Sequence, residues 1–245
     1  MSSQTFVPPY THPATLLPAL KQQGFALLPA ADAAQLAGTT AQALQALNAS
    51  WQSLAPDAYL KDGGKYRKRR HASYQIDGMG VQPIAHRAHW QPLEYNALHG
   101  GMERWFEPIV PATHTSAWHA LLAWMGRLAD DLRREQTWYA EAHQFRIDTE
   151  GGIGRPTPEG AHRDGVDLVA VFLVAREGVK GGETRVFEAT GPRGQRFTLT
   201  EPWSVLLLDD ARVIHETTPI QPTSDDAYRD TLVITLRAGG FQDAV

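Results

Sequence analysis

The stretch Thr157-Pro158-Glu159-Gly160-Ala161-His162-Arg163-Asp164-Gly165 sets an imidazole and a carboxylate two residues apart. In extended backbone, side chains two apart share a face, so His162 and Asp164 would aim at one point. His215 lies well downstream in a similar strand-like setting. Two imidazoles and a carboxylate on one side of a metal leave its opposite side open, an arrangement suited to Fe(II) chemistry. The chain has no cysteine, which excludes disulfides, thiolate-bound zinc and a thiol nucleophile. Any metal must therefore use His, Asp or Glu.

A second group of residues follows in the order such a site would need. An apolar run, Val205 to Leu208, turns and delivers His215 on the next strand-like segment. Arg229 and Thr231 open the last one. An arginine there can make a bidentate, charge-assisted pair with a carboxylate, and a threonine two residues on shares its face. Taken singly, each residue has a plainer reading: a turn histidine, a capping aspartate, a core histidine, a surface arginine. Taken together, in this order, they favour a metal site.

The elements that must hold these residues read as follows. Leu16 to Gln23 is a short helix ending at Gly24, and Phe25 to Leu28 is a strand. Asp32 caps a predicted helix running to about Leu47. Ser116 caps the clearest helix, Ala117 to Glu135, whose stripe of Trp118, Leu121, Leu122, Met125, Leu128 and Leu132 has helical spacing. Short strands are predicted at His71–Ile76, Gln82–Trp90 (weakened by Pro83), Glu141–Ile147, Leu168–Val174, Thr184–Phe187, Arg196–Leu199, Val205–Leu208, Val213–Thr217 and Thr231–Leu236. Lys180 to Glu183 is read as a turn across which Thr184–Phe187 pairs back. The fold class expected is mainly β with flanking helices, a jelly-roll or cupin-like barrel. The chain reads as one domain, 1–245, with a helical and mixed layer over 1–137 packed on a β core over 138–240.

His162-x-Asp164, His215 and Arg229-x-Thr231, in this order and spacing, resemble the Fe(II)/2-oxoglutarate-dependent dioxygenases. The phrases Thr157 to His162, Gly181-Gly182-Glu183 and Arg229 to Thr235 are similar to the bacterial subfamily that hydroxylates free L-amino acids such as isoleucine and leucine. The similarity covers roughly Glu141 to Arg237 and is loose over the N-terminal third. The resemblance implies a double-stranded β-helix, with Fe(II) on His162, Asp164 and His215. It implies 2-oxoglutarate as co-substrate, held at its far carboxylate by Arg229 and Thr231. It further implies O2 as oxidant, ascorbate as an auxiliary reductant, and release of succinate and CO2 as a C–H bond is hydroxylated. Related halogenases replace the carboxylate ligand with a small residue, so Asp164 points to hydroxylation.

Substrate residues are read from the same segments. In Glu141–Ile147, Gln144 and Arg146 share a face that can reach the open side of the metal, with Arg146 either on a substrate carboxylate or in a structural ion pair and His143 pointing away. Glu159 is a candidate for a substrate ammonium and Arg163 for the entrance. His86, His89, His99, His114 and His119 are read as surface or packing histidines. The basic run Lys65 to Arg70 is read mainly as a solvated loop or strand edge, with one or two arginines at a pocket mouth.

The net charge of −4 argues against general affinity for nucleic acid or anionic membranes. Met1-Ser2-Ser3-Gln4-Thr5 shows no signal-peptide pattern, and no apolar run spans a membrane, so a cytoplasmic location is expected. A small-molecule substrate is expected, with a homodimer and a monomer both open. Two other readings stand beside the leading one: the same chemistry on a peptide, carrier-bound residue or antibiotic precursor, and a non-catalytic cupin-like metal- or ligand-binding protein.

Overall fold

The computed structural model describes residues 6–244, so the Met1–Thr5 stretch read for a targeting signal lies outside it. Helix α1 is Leu16–Gln23, and Gly24, at φ 81°, ends it by donating its N–H to Leu20 O at 3.0 Å. Helices α2 (Ala30–Ala37) and α3 (Ala41–Ala46) follow. The single helix expected from Asp32 to Leu47 is thus two. Gly38 takes a left-handed conformation, and Thr40 begins α3 by accepting the N–H of Ala43. Helix α4 runs Ser116–Leu132, with Thr115 as its cap, and every residue of the predicted apolar stripe is buried.

The strands are β1 (Phe25–Leu28), β2 (Ala55–Pro56), β3 (Arg67–Asp77), β4 (Gly80–Pro83), β5 (Trp138–Asp148), β6 (Leu168–Glu177) and β7 (Val179–Gly181). They continue with β8 (Thr184–Glu188), β9 (Gly194–Phe197), β10 (Val205–Asp209), β11 (Val213–Thr217), β12 (Ile220–Pro222) and β13 (Tyr228–Ala238). An eight-stranded sheet has the order β1-β10-β6-β13-β5-β3-β2, with β4 on β3. A three-stranded sheet, β11-β8-β9, and a two-stranded one, β12-β7, face it. This is the mainly β, antiparallel double-stranded β-helix with a few helices. β8 pairs with β11 and β9 rather than across the glycine turn, because Val179–Gly181 is itself a strand on β12. Residues 1–137, expected as a layer over the barrel, also supply β1 to β4, four strands of the eight-stranded sheet.

Alternation along the large sheet sends one set of side chains each way. Ala140, Ala142, Ala170, Phe172, Leu232, Ile234 and Leu236 pack under α4 in the main core, with Trp118 and Leu121 above them. Their neighbours Val169, Leu173, Leu206 and Leu208 face the small sheet and meet Val186, Phe197 and Val213. Both faces are therefore buried, as a sheet sandwiched between helices and a second sheet requires. Between the sheets a cavity of about 130 Å³ remains, lined largely by polar side chains. Among the described residues no helix is long and apolar enough to cross a membrane.

Candidate functional site

His162 and His215 are hydrogen-bonded to each other through their backbones. His162 N donates to His215 O at 3.0 Å and His215 N to His162 O at 2.9 Å, so a loop residue is pinned to the strand β11. Their rings sit 4.7 Å apart between centroids. Asp164 completes the group: Oδ1 is 3.9 Å from His162 Nε2, and Oδ2 is 3.8 Å from His215 Nε2. One ligand atom from each residue lies within 4.8 Å of the others. His162 Nδ1–H donates to Gly160 O at 2.9 Å, which leaves the Nε2 lone pair aimed at the centre.

The loop carrying Asp164 is held by Asp210. Its carboxylate accepts the N–H groups of Asp164 (3.0 Å), Gly165 (2.8 Å) and Val166 (3.1 Å). Gly165 lies at φ 76°, the left-handed turn needed for three successive N–H groups to converge. Asp210 was not singled out in the sequence. A buried acid shortly before a histidine strand carries no signal of its partner until the chain folds.

Burial pushes the Asp164 carboxyl up to about 6; the nearby Asp210 and Glu159 carboxylates add to this, and His162 opposes it. Burial, with His162 beside it, holds His215 well below the ordinary imidazole range. Burial also opposes charge on His162, but Asp164 and Glu159 outweigh it and raise its pKa. A neutral His215 and a buried carboxylate short of counter-charge form a donor set that fits a divalent cation.

Across the cavity stands Arg229, 3% exposed, with Thr231 on the same face. Among the described residues Arg229 has no carboxylate partner, since Asp230 next to it is taken by Arg146, and its Nε is unpartnered. Burial and the nearby Arg176 press it down to about 10. A buried guanidinium with free donors fits the far carboxylate of a small oxo acid.

A match of a family model described as 2OG-Fe dioxygenase runs from residue 48 to 235. The chain belongs to the 2OG-Fe dioxygenase family. It is thus a non-haem iron enzyme that uses Fe(II), 2-oxoglutarate and O2. Among solved structures, the dioxygenase is 54% identical to a bsmA homologue from Methylobium petroleophilum, with a TM-score of 0.92 over 98% of each chain. It shares its fold with IDO from Bacillus thuringiensis, at 16% identity and TM-score 0.75, over 95% of this chain and 100% of that one. The same holds for the Fe(II)/α-ketoglutarate-dependent dioxygenase TqaL, at 18% identity and TM-score 0.70, over 94% of this chain and 90% of that one. No curated protein matches the chain.

The structure separates the predicted substrate residues. Glu159 lines the cavity, with Oε1 3.6 Å from His162 Nε2 and Oε2 buried without a partner. Arg163 lies outside it, its guanidinium 5.6 Å from the Tyr95 ring centroid. Gln144 and Arg146 face the other side of β5, a correction to the expected orientation. Gln144 Nε2 donates to Ser50 Oγ at 2.7 Å, and Arg146 makes a two-pronged pair with Asp230 at 2.8 and 2.7 Å. The face toward the cavity instead carries Glu141, His143, Phe145 and Ile147. Both faces of β5 are buried and both carry polar groups, so alternation alone could not choose between them.

The basic run divides: Lys65 is exposed, whereas Arg67 and Arg69, on β3 between β5 and the short strands β2 and β4, are the expected pocket arginines, 5% and 4% exposed and lining the cavity itself. Of the histidines read as packing or surface residues, His99 is buried away from the cavity and His89 is buried on its wall. His99 accepts the N–H of Lys61 through Nε2 at 3.3 Å, and His89 meets Glu141. His71 Nε2 and His89 Nδ1 lie 3.0 and 2.9 Å from the two oxygens of Glu141, and Arg87 adds a donor at 3.2 Å. Burial pushes His89 down to about 4 and lowers His71, so both are neutral donors to an ionised Glu141.

Proposed function

We propose that the enzyme hydroxylates a free L-amino acid or a similar small polar molecule, with decarboxylation of 2-oxoglutarate to succinate and CO2. The observation that carries this reading is one cavity shared by His162, Asp164, His215, Arg229 and Thr231. A peptide or carrier-bound residue would call for a wider groove than this cavity of about 130 Å³.

In this reading His162, Asp164 and His215 hold the iron, with the tautomer of His162 fixed by Gly160 O. The bound iron supplies oxidation of the oxo acid by O2 and of an unactivated C–H bond. Arg229 orients the oxo acid through its far carboxylate, and the Thr231 hydroxyl adds a hydrogen bond. Val171 and Val233, on the cavity wall, exclude water from the reacting carbon. Glu159, near His162 with one free oxygen, receives a substrate ammonium.

The test is incubation of the purified protein with Fe(II), ascorbate and 2-oxoglutarate against a panel of free amino acids. A product heavier by one oxygen, formed with stoichiometric succinate, supports the reading. Succinate formation that no amino acid accelerates removes it.

A further inference from the structure

The cavity has a second cationic end that neither the metal site nor Arg229 uses. β3 brings Arg67 and Arg69 into it, and the segment before α4 brings Arg104, 2% exposed. Arg67 Nε donates to Asp57 Oδ2 at 2.7 Å, and Arg69 Nη1 lies 3.8 Å from the same oxygen. Arg104 donates Nη2 to the neutral amide oxygen of Gln91 at 2.8 Å and, among the described residues, meets no carboxylate. Among the described residues Arg67 and Arg69 thus share one carboxylate and Arg104 pairs with none, with Glu159 and Glu141 acting on it from farther off. Arg67 Nη2, Arg69 Nε and Arg104 Nε have no hydrogen-bond partner. Buried donors are ordinarily paired, and clustered cations repel strongly away from water, so this arrangement calls for an anion.

The register separates this end from Arg229. Ile147 pairs with Arg229 on one side and with Arg67 on the other. With strands ~4.8 Å apart, the two arginine backbones stand about 10 Å from each other on one face. Arg69 is also held rigid: its guanidinium lies 3.6 Å from the Phe106 centroid and 4.3 Å from Phe145, and Nη2 donates to His143 Nδ1 at 2.8 Å.

We propose that Arg67, Arg69 and Arg104 form the seat for a carboxylate of the organic substrate, distinct from the Arg229 seat. The proposal rests on the dioxygenase reading above. A planar monoanion fits better than a polyanion, since Asp57 already offsets part of the charge and Glu159 lines the same cavity. His71, His89, Glu141 and His143 could in principle hold a metal, for their ligand atoms lie within 4.8 Å of one another. But Arg69 occupies the Nδ1 lone pair of His143, and both Glu141 oxygens are engaged, one of them also by Arg87. A dication there would lie against the guanidiniums of Arg69 and Arg87. The cluster positions Arg69.

The experiment loads the full chain with Mn(II) and 2-oxoglutarate, without O2, and titrates pentanoate, L-norvaline and pentanamide by calorimetry. The two carboxylates are expected to bind, and pentanamide at least tenfold more weakly. Arg104→Gln is expected to weaken both carboxylates about tenfold to a hundredfold while leaving 2-oxoglutarate affinity and the melting temperature near wild type, with Arg104→Lys between the two. Carboxylate binding in Arg104→Gln equal to wild type, or no carboxylate binding to wild type at millimolar concentration, overturns the proposal. So does a second equivalent of Mn(II) that disappears in Glu141→Gln. Arginine-dependent binding without turnover of any bound acid removes the hydroxylase reading and leaves the seat. Turnover confined to uncharged molecules does the reverse.

Discussion

The side chain of Asp210 holds the backbone of Asp164: Oδ1 accepts the Asp164 N–H at 3.0 Å, and Oδ2 accepts the next two N–H groups. The ligand loop is therefore shaped by a carboxylate that need not touch the metal itself. Asp210→Asn replaces one acceptor oxygen with a donor facing N–H groups. Metal affinity is expected to fall about tenfold to a hundredfold, the usual effect of losing a ligand's supporting contacts. Titration with Mn(II) followed by electron paramagnetic resonance measures this, and an unchanged affinity counts against the role assigned to Asp210.

His162→Ala is expected to abolish succinate formation and to remove one bound equivalent of iron. The fold should persist, since the bridge between residues 162 and 215 is made by backbone atoms. Circular dichroism together with metal analysis separates loss of the ligand from loss of the fold. Full activity in this variant would refute the ligand set.

Arg229 and Arg146 should part company. Arg229→Gln is expected to raise the 2-oxoglutarate KM at least about tenfold, by loss of a charge-assisted pair. Arg146→Ala leaves Asp230, whose side chain is 2% exposed, without its partner. This should cost about 3 kcal/mol of stability while leaving the 2-oxoglutarate KM unchanged. Urea denaturation and steady-state kinetics on the two variants decide it; a matching KM effect in both would contradict the separation of faces on β5.

The contribution of His89 to stability should fall as pH drops below neutrality. Burial holds His89 at about 4, against an ordinary value of 6.5, so the folded protein keeps it neutral while the unfolded chain protonates it. Its contribution is complete above pH 6.5 and is lost as pH falls toward 4, on the order of 3 kcal/mol. His71 and His143 are lowered by burial as well, which steepens the loss. Urea midpoints measured through the acid range check this by difference: His89→Gln should start lower and depend less on pH than wild type, whereas parallel profiles would count against a neutral His89.

Much of this was legible in the residues alone. The order His162-x-Asp164, His215, Arg229-x-Thr231 carried the superfamily resemblance, and the structure brings the first three side chains together with Arg229 and Thr231 across one cavity. Helix α1, β1 and β11 fall where periodicity and glycine punctuation placed them, because each has one apolar pattern and clear ends. Local spacing suffices when the signal is local.

What the sequence could not decide is which way a strand faces when both its sides are buried. In Glu141 to Ile147, polar groups fall on both faces, so alternation pointed Gln144 and Arg146 toward the metal with no means of excluding the reverse; the neighbours β3 and β13 turned Glu141 and His143 inward and sent Gln144 and Arg146 to Ser50 and Asp230. The same pairing carried Arg67 and Arg69 out of a basic run, which by composition belongs in water, and into a cavity wall. Asp57, earlier in the chain, holds Arg67 there, and the distant His143 on β5 holds Arg69. Charge in a sequence is only a count, and whether it meets solvent or a partner is set by contacts that exist once the sheet has closed.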